Sequence, residues 1–95
     1  MSALTLKIVS PQGVGLTVNC DSISLWMAPD RKGKGEGSIG IRKGHANAVI
    51  ALGTGKAEAK LDGKTVYTAV TEGGFATVLD DIVTVVTQKI VQQQN

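Results

Sequence analysis

Residues 56–70 read KAEAKLDGKTVYTAV, and this stretch decides the fold. Lys56, Glu58 and Lys60 alternate with Ala57, Ala59 and Leu61, a period of two that sends charge to one side and small apolar groups to the other. Asp62-Gly63 follows, a pair suited to the positive backbone φ that a two-residue hairpin turn demands. Thr65 to Val70 then returns as the second strand. The unit is a β-hairpin.

The same period extends in both directions. Leu4, Leu6 and Ile8 alternate with Thr5 and Lys7, and Pro11-Gln-Gly13 ends that run as a turn. Leu16, Val18 and Cys20 repeat the pattern, Asp21 breaks it, and Ile23, Leu25 and Met27 resume it. Beyond the hairpin, Glu72-Gly-Gly74 interrupts the strand and Phe75 to Leu79 continues it. Asp80-Asp81 makes a tight turn into Ile82-Val-Thr-Val-Val86, which is apolar on both faces and is expected to be central and covered. Ala46 to Leu52, flanked by glycines, is expected as a short buried strand. Eight or more strands, with turn signals roughly every 8 to 12 residues, predict an all-β antiparallel sandwich or barrel with no substantial helix. No linker or internal repeat divides the chain, so residues 1–95 are expected to form a single domain.

Composition narrows the function classes. The chain is 42% hydrophobic and 19% charged, with Trp26, Tyr67 and Phe75 as its aromatic residues, so the core is aliphatic. A net charge of +2 is too small for a strong electrostatic binder of nucleic acid. One cysteine excludes an internal disulfide and a cysteine-rich zinc site, and the alternation of Cys20 with Leu16 and Val18 reads as a buried, inert thiol. The longest apolar run, Ala48 to Leu52, falls far short of the ~20 residues of a membrane span. The N-terminus carries no basic-then-apolar signal sequence, and the protein is expected to stay in the compartment of its synthesis.

No catalytic, cofactor or metal site is expected. His45 is the one histidine, and the acids are single surface residues (Glu36, Glu58, Glu72) or turn formers (Asp62, Asp80, Asp81) whose side chains are expected to cap their own turns. Gly35-x-Gly37-x-x-Gly40 spells a dinucleotide loop but lacks the following helix whose N-terminus would face a pyrophosphate. The surrounding cations, Arg31, Lys32, Lys34, Arg42 and Lys43, form a cluster in sequence. Single-strand binders interleave such charges with aromatic platforms, and no aromatic lies between Met27 and Val66. Nucleic acid or an anionic protein partner for this basic loop is kept as the alternative to the assignment below.

Gly37-Ser-Ile-Gly-Ile-Arg-Lys-Gly-His-Ala46 is similar to the Gly-Glu-x-Gly-Ile-x-x-Gly-His-Ala signature of the epsilon subunit of F-type ATP synthases. Leu6-Lys-Ile-Val-Ser-Pro-Gln-Gly13 resembles that family's first strand and turn. Asp62-Gly-Lys64, Val70-Thr-Glu-Gly-Gly-Phe75 and Ile82-Val-Thr-Val-Val86 resemble its hairpin, its Val-Ser-Gly-Gly-Phe segment and its Val-Thr-Val-Leu strand. The pieces occur in order over residues 4 to 88.

The resemblance implies a ten-stranded β-sandwich at the foot of a rotating central stalk. Such a subunit is non-catalytic, binds the gamma subunit and rests on the polar loops of the membrane c-ring, on the cytoplasmic (or matrix or stromal) side. Family members usually continue into a C-terminal helical hairpin that inhibits ATP hydrolysis. This chain stops at Gln92-Gln-Gln-Asn95, before that hairpin, as a natural short form or a truncated chain would, so the inhibitory role is not carried over. Lys43 and Asn47 stand where the family usually has proline, and the loop over Pro29 to Glu36 is longer and more basic than usual. The resemblance places the ring-facing acid on Glu36, unless the enlarged loop displaces it, and the ring-facing loop on residues 28 to 45. Candidate ring or stalk contacts are therefore Arg31, Lys32, Lys34, Glu36, Arg42, Lys43 and His45. Trp26 and Tyr67 are candidates for the gamma contact, because aromatics concentrate at interface centres.

Overall fold

The computed structural model describes residues 3–11 and 15–92. Ten strands occur in chain order: β1 (Leu4–Val9), β2 (Gly15–Cys20), β3 (Ser22–Met27), β4 (Gly37–Arg42), β5 (Ala48–Ala51), β6 (Thr54–Leu61), β7 (Lys64–Glu72), β8 (Phe75–Leu79), β9 (Ile82–Val86) and β10 (Lys89–Gln92). They form two five-stranded sheets: one ordered β2-β1-β9-β8-β5, here the first sheet, and the other ordered β10-β7-β6-β3-β4, the second. The expected all-β sandwich is therefore found, and no described residue is helical. The expected turn at Pro11-Gln-Gly13 lies mostly outside the described residues.

Alternation explains which side chains meet. Leu4, Leu6 and Ile8 of β1, Val83 and Val85 of β9, and Ala76 and Val78 of β8 turn inward from the first sheet. Ile23 and Leu25 of β3, Ile41 of β4, and Ala57 and Ala59 of β6 face them from the second. Each fully buried aliphatic side chain contributes about 1.5–3 kcal/mol of transfer free energy. Cys20 lies fully buried among them, as its alternation predicts. Burial, and secondarily the Asp21 carboxylate, push its thiol pKa up, so it stays protonated and unreactive.

The hairpin of residues 56–70 forms as expected. Asp62 (φ 53°) and Gly63 (φ 77°) both occupy the left-handed region, and β6 pairs antiparallel with β7. Asp80 (φ 49°) and Asp81 (φ 65°) make the same kind of turn between β8 and β9. Three finer expectations change. β9 is central in its sheet, but its outer face is open: Ile82 is 39% exposed. β5 is an edge strand whose Val49 is 75% exposed, so only Ile50 and Leu52 supply the burial expected of this segment. One strand pair, β1 with β9, runs parallel (Leu6 beside Val83, Ile8 beside Val85), whereas the other pairings are antiparallel.

The chain passes between the sheets at five connections, and two of these corners lie against each other. β5 ends in the first sheet and β6 begins in the second, with Leu52 and Gly53 between them. Gly73-Gly74 carries the chain back, so the interruption read from sequence is a change of sheet. The corners are bonded together: Leu52 N–H donates to the Gly74 carbonyl at 3.0 Å, and Thr71 Oγ1 to the Gly53 carbonyl at 3.4 Å. Thr87 Oγ1 donates to the Gly73 carbonyl at 2.9 Å. Gly74 has φ 101°, and a Cβ there would lie 2.1 Å from the Val86 carbonyl oxygen. Gly74→Ala is therefore expected to lose about 3 kcal/mol or more by denaturant titration. A thiol reagent is expected to modify Cys20 only as fast as the native protein opens, and immediate labelling would contradict its burial.

Candidate functional site

The two outer faces of the sandwich differ in chemistry. On the first sheet, strand register builds three cross-strand rows. Val9, Val86, Phe75 and Ala51 form one, Lys7, Thr84, Thr77 and Val49 the next, and Thr5, Ile82 and Leu79 the third. Val9 (49%), Phe75 (44%) and Leu79 (57%) are exposed along with Val49 and Ile82, and Lys7 is the one charge in these rows. A shallow hollow lined by Asn47, Ala48, Val49, Thr77 and Leu79 opens at the β5 edge. Five exposed aliphatic or aromatic side chains on one face make a docking surface, since scattered single exposures are ordinary but a contiguous set is not.

The second sheet shows a charged face. Glu58 pairs with Lys56 at 3.2 Å and with Lys60 at 3.7 Å, and these bonds, that from Lys56 foremost, hold its carboxyl below the usual range. Ser24 and Ser38 share a hydroxyl hydrogen bond at 2.8 Å on the same face. Trp26 lies over the neighbouring strand: a Cβ on Gly55 would come 2.3 Å from the indole Cγ. Its Nε1–H donates to Glu36 Oε2 at 3.1 Å, so the candidate gamma contact and the candidate ring acid are bonded to each other. Tyr67, the other candidate gamma contact, packs against the core, opposite Ala59 in the β6–β7 register. An exposed anchor has to be sought on the first sheet instead, where Phe75 stands. The signal for it was the apolar character of both faces of Ile82–Val86.

Asp30 organises the basic loop. Its Oδ1 accepts the amides of Lys32 (2.8 Å) and Lys34 (2.9 Å), and its carbonyl accepts that of Gly33 (2.9 Å). Arg31, Lys32, Lys34 and Glu36 are all exposed. Arg42 ends β4, a six-residue strand that spans about 20 Å, and Lys43 and His45 lie just beyond it. The cations clustered in sequence are thus strung along the free edge of the second sheet, with one group at each end.

The far end is knitted by two carboxylates and one side-chain amide that reach across. Asp81 Oδ1 accepts the Gly44 amide at 2.8 Å, Asp21 Oδ2 accepts the Asp62 amide at 2.9 Å, and Asn47 Oδ1 accepts the Asp80 amide at 3.2 Å. The expectation that Asp62, Asp80 and Asp81 cap their own turns is corrected for Asp81, whose carboxylate fixes a distant loop. His45 is half-buried, its backbone amide bonded to the Arg42 carbonyl at 3.1 Å and its Nδ1 lying 2.8 Å from the Ala46 carbonyl. Among the described residues, no three His, Cys, Asp or Glu side chains are placed to hold a metal ion, and no helix is long and apolar enough to cross a membrane.

These features define a β-sandwich with one predominantly apolar outer face and one that carries charge over β3, β4 and β6 beside the exposed Val66 and Val91 of β7 and β10. The sequence profile of the ATP synthase delta/epsilon chain β-sandwich domain matches residues 3–93, and the chain belongs to that family. It is 35% identical over 88 residues to the ATP synthase epsilon chain of Staphylococcus aureus (strain JH9), covering 93% of this chain and 60% of that protein. Its fold is similar to a chain in the cryo-EM structure of the Euglena gracilis mitochondrial ATP synthase (OSCP/F1/c-ring), at TM-score 0.73 and 23% identity over 97% of this chain and 54% of that one. A chain of the Tetrahymena thermophila mitochondrial ATP synthase central stalk and c-ring gives TM-score 0.65 at 12% identity, over 93% of this chain and 65% of that one. The chain thus spans about 60% of the curated relative's length.

Gly55→Ala is expected to displace the indole, shifting the emission of this single tryptophan to the red and costing about 1–2 kcal/mol. Lowering of the Glu58 pKa by its lysines means that their pairing favours the fold above the ordinary carboxyl range and is lost as pH falls through the lowered value. In Lys56→Gln, the Glu58 pKa followed by NMR is expected to rise toward the ordinary carboxyl value.

Proposed function

We propose that this chain is a non-catalytic subunit of the central stalk of an F-type rotary ATP synthase. It links the gamma subunit to the membrane c-ring and passes rotation between ion translocation and ATP synthesis. The observation that carries this reading is the apolar outer face of the first sheet, on a sandwich of the delta/epsilon family. Gamma would cover Val9, Val49, Phe75, Leu79 and Ile82, because burying such a face gives most of the affinity of a stable subunit contact. Phe75 replaces Trp26 and Tyr67 as the aromatic anchor of that contact.

The free edge of the second sheet would lie along the ring. A broad ring surface accommodates both ends of β4, so Arg31, Lys32, Lys34 and Glu36 at one end and Arg42, Lys43 and His45 at the other can touch it together. Such contacts are numerous, individually weak and screened by salt, which suits a surface formed by repeated polar loops. The subunit would sit on the cytoplasmic, matrix or stromal side and reach the membrane only through the complex.

Co-purification with the cognate gamma subunit tests the assignment directly. The wild-type chain is expected to form a stable complex, and Phe75→Asp to weaken it by at least about tenfold without unfolding the chain. Absence of any complex with gamma would overturn the proposal. Tight, salt-sensitive binding to an oligonucleotide would favour the alternative use of the basic loop. Lys32→Glu with Lys34→Glu is expected to leave gamma binding intact and to reduce ring association most at low ionic strength.

A further inference from the structure

The outer face of the second sheet contains a trough that shares Arg42 alone with the proposed ring contacts. Arg42, Ser22 and Lys60 form one cross-strand row, since Ser22 pairs with Arg42 on one side and Lys60 on the other. The next row holds Gly40, Ser24 and Glu58. Small residues thus form the floor, and long cations stand on the two flanking strands, whose Cα atoms are roughly 10 Å apart. Two adjoining depressions of about 230 and 400 Å³ share Ser22, Arg42 and Lys60 in their linings.

Gly40 keeps the trough open without being required by the fold. Its φ is not in the left-handed region, and a Cβ placed there would meet nothing within 4 Å. A larger side chain would fit the backbone and fill the space.

The groups around the trough are available. Among the described residues, Arg42 forms no ion pair and the Ser22 hydroxyl no side-chain hydrogen bond. Lys60 makes only a long 3.7 Å pair with Glu58, whose other oxygen Lys56 holds at 3.2 Å, so Lys60 can turn away without stranding that carboxylate. Asp21 lines the outer depression and opposes an anion there, but its Oδ2 is occupied by the Asp62 amide.

We propose that this trough binds a phosphate group, held between the Arg42 guanidinium and the Lys60 ammonium above the Ser22 hydroxyl. A planar guanidinium engages two phosphate oxygens at once, and the ammonium and hydroxyl can take the others. The site is independent of the rotor assignment, because its readout needs only the folded chain.

The test is an amide NMR titration of the chain with sodium phosphate, against sodium chloride at matched ionic strength and neutral pH. Saturable shifts are expected at Ser22, Ser24, Gly40, Arg42 and Lys60, with a millimolar dissociation constant. Arg42→Gln is expected to weaken binding roughly tenfold. Gly40→Val should abolish it while keeping or raising the thermal midpoint, since the added methyl groups occupy the ligand's place rather than the core and valine suits a strand better than glycine. Shifts that follow ionic strength without saturating, or that persist in Gly40→Val, would overturn the proposal. Glycerol 3-phosphate as a second ligand separates the sources: tighter binding than inorganic phosphate identifies a lipid headgroup, and equal or weaker binding the free ion.

Discussion

The sandwich depends on the close approach of two backbones at Gly74. There the Val86 carbonyl lies where any other residue would place its Cβ, and the chain leaves the second sheet for the first. Because the Gly74 carbonyl also accepts the amide of Leu52, the two crossings support each other. Everything downstream inherits its position from this corner. β8 can present Ala76 and Val78 to the core and Phe75, Thr77 and Leu79 outward only because the chain has changed sheets at that residue.

The resulting division of chemistry between the faces is what makes the rotor assignment physically reasonable. An apolar face can supply a permanent contact, whereas an edge lined with cations supplies contacts that tolerate sliding or exchange. Trp26 belongs to neither role, and Glu36 has a second one besides the ring edge. Their bond joins the end of the enlarged loop to the middle of the second sheet, stiffening a segment that glycines would otherwise leave loose.

Much of this was legible in the sequence because a period of two survives in almost every strand. Alanines 57 and 59 had to be inward once Lys56, Glu58 and Lys60 were outward, and Asp62-Gly63 had to turn. The partners were not legible. Alternation reads the same for parallel and antiparallel neighbours, so nothing in Leu4–Val9 pointed to β9. Gly73-Gly74 read as a pause, since only the distant Val86 carbonyl gives the pair its purpose. Cations 31–34 and 42–43 looked like one cluster because sequence counts residues and not the length of the strand between them. Tyr67 was the recoverable case: it shares the parity of the buried Ala69, which already places it on the core side.

The parallel pairing of β1 with β9 also has a consequence for how the protein is made. Thr5 lies beside Ile82 and Val9 beside Val86, so β1 cannot gain this neighbour until β9, eight strands later in sequence, exists. Until then β1 has only β2 to pair with, and a lone two-strand hairpin is marginal in water. The second sheet, by contrast, joins β6 to β7 through a two-residue turn and β3 to β4 through one loop, so these pairings are local in sequence. Closure of the first sheet thus rests on a sequence-distant pairing, the kind of contact that forms slowly.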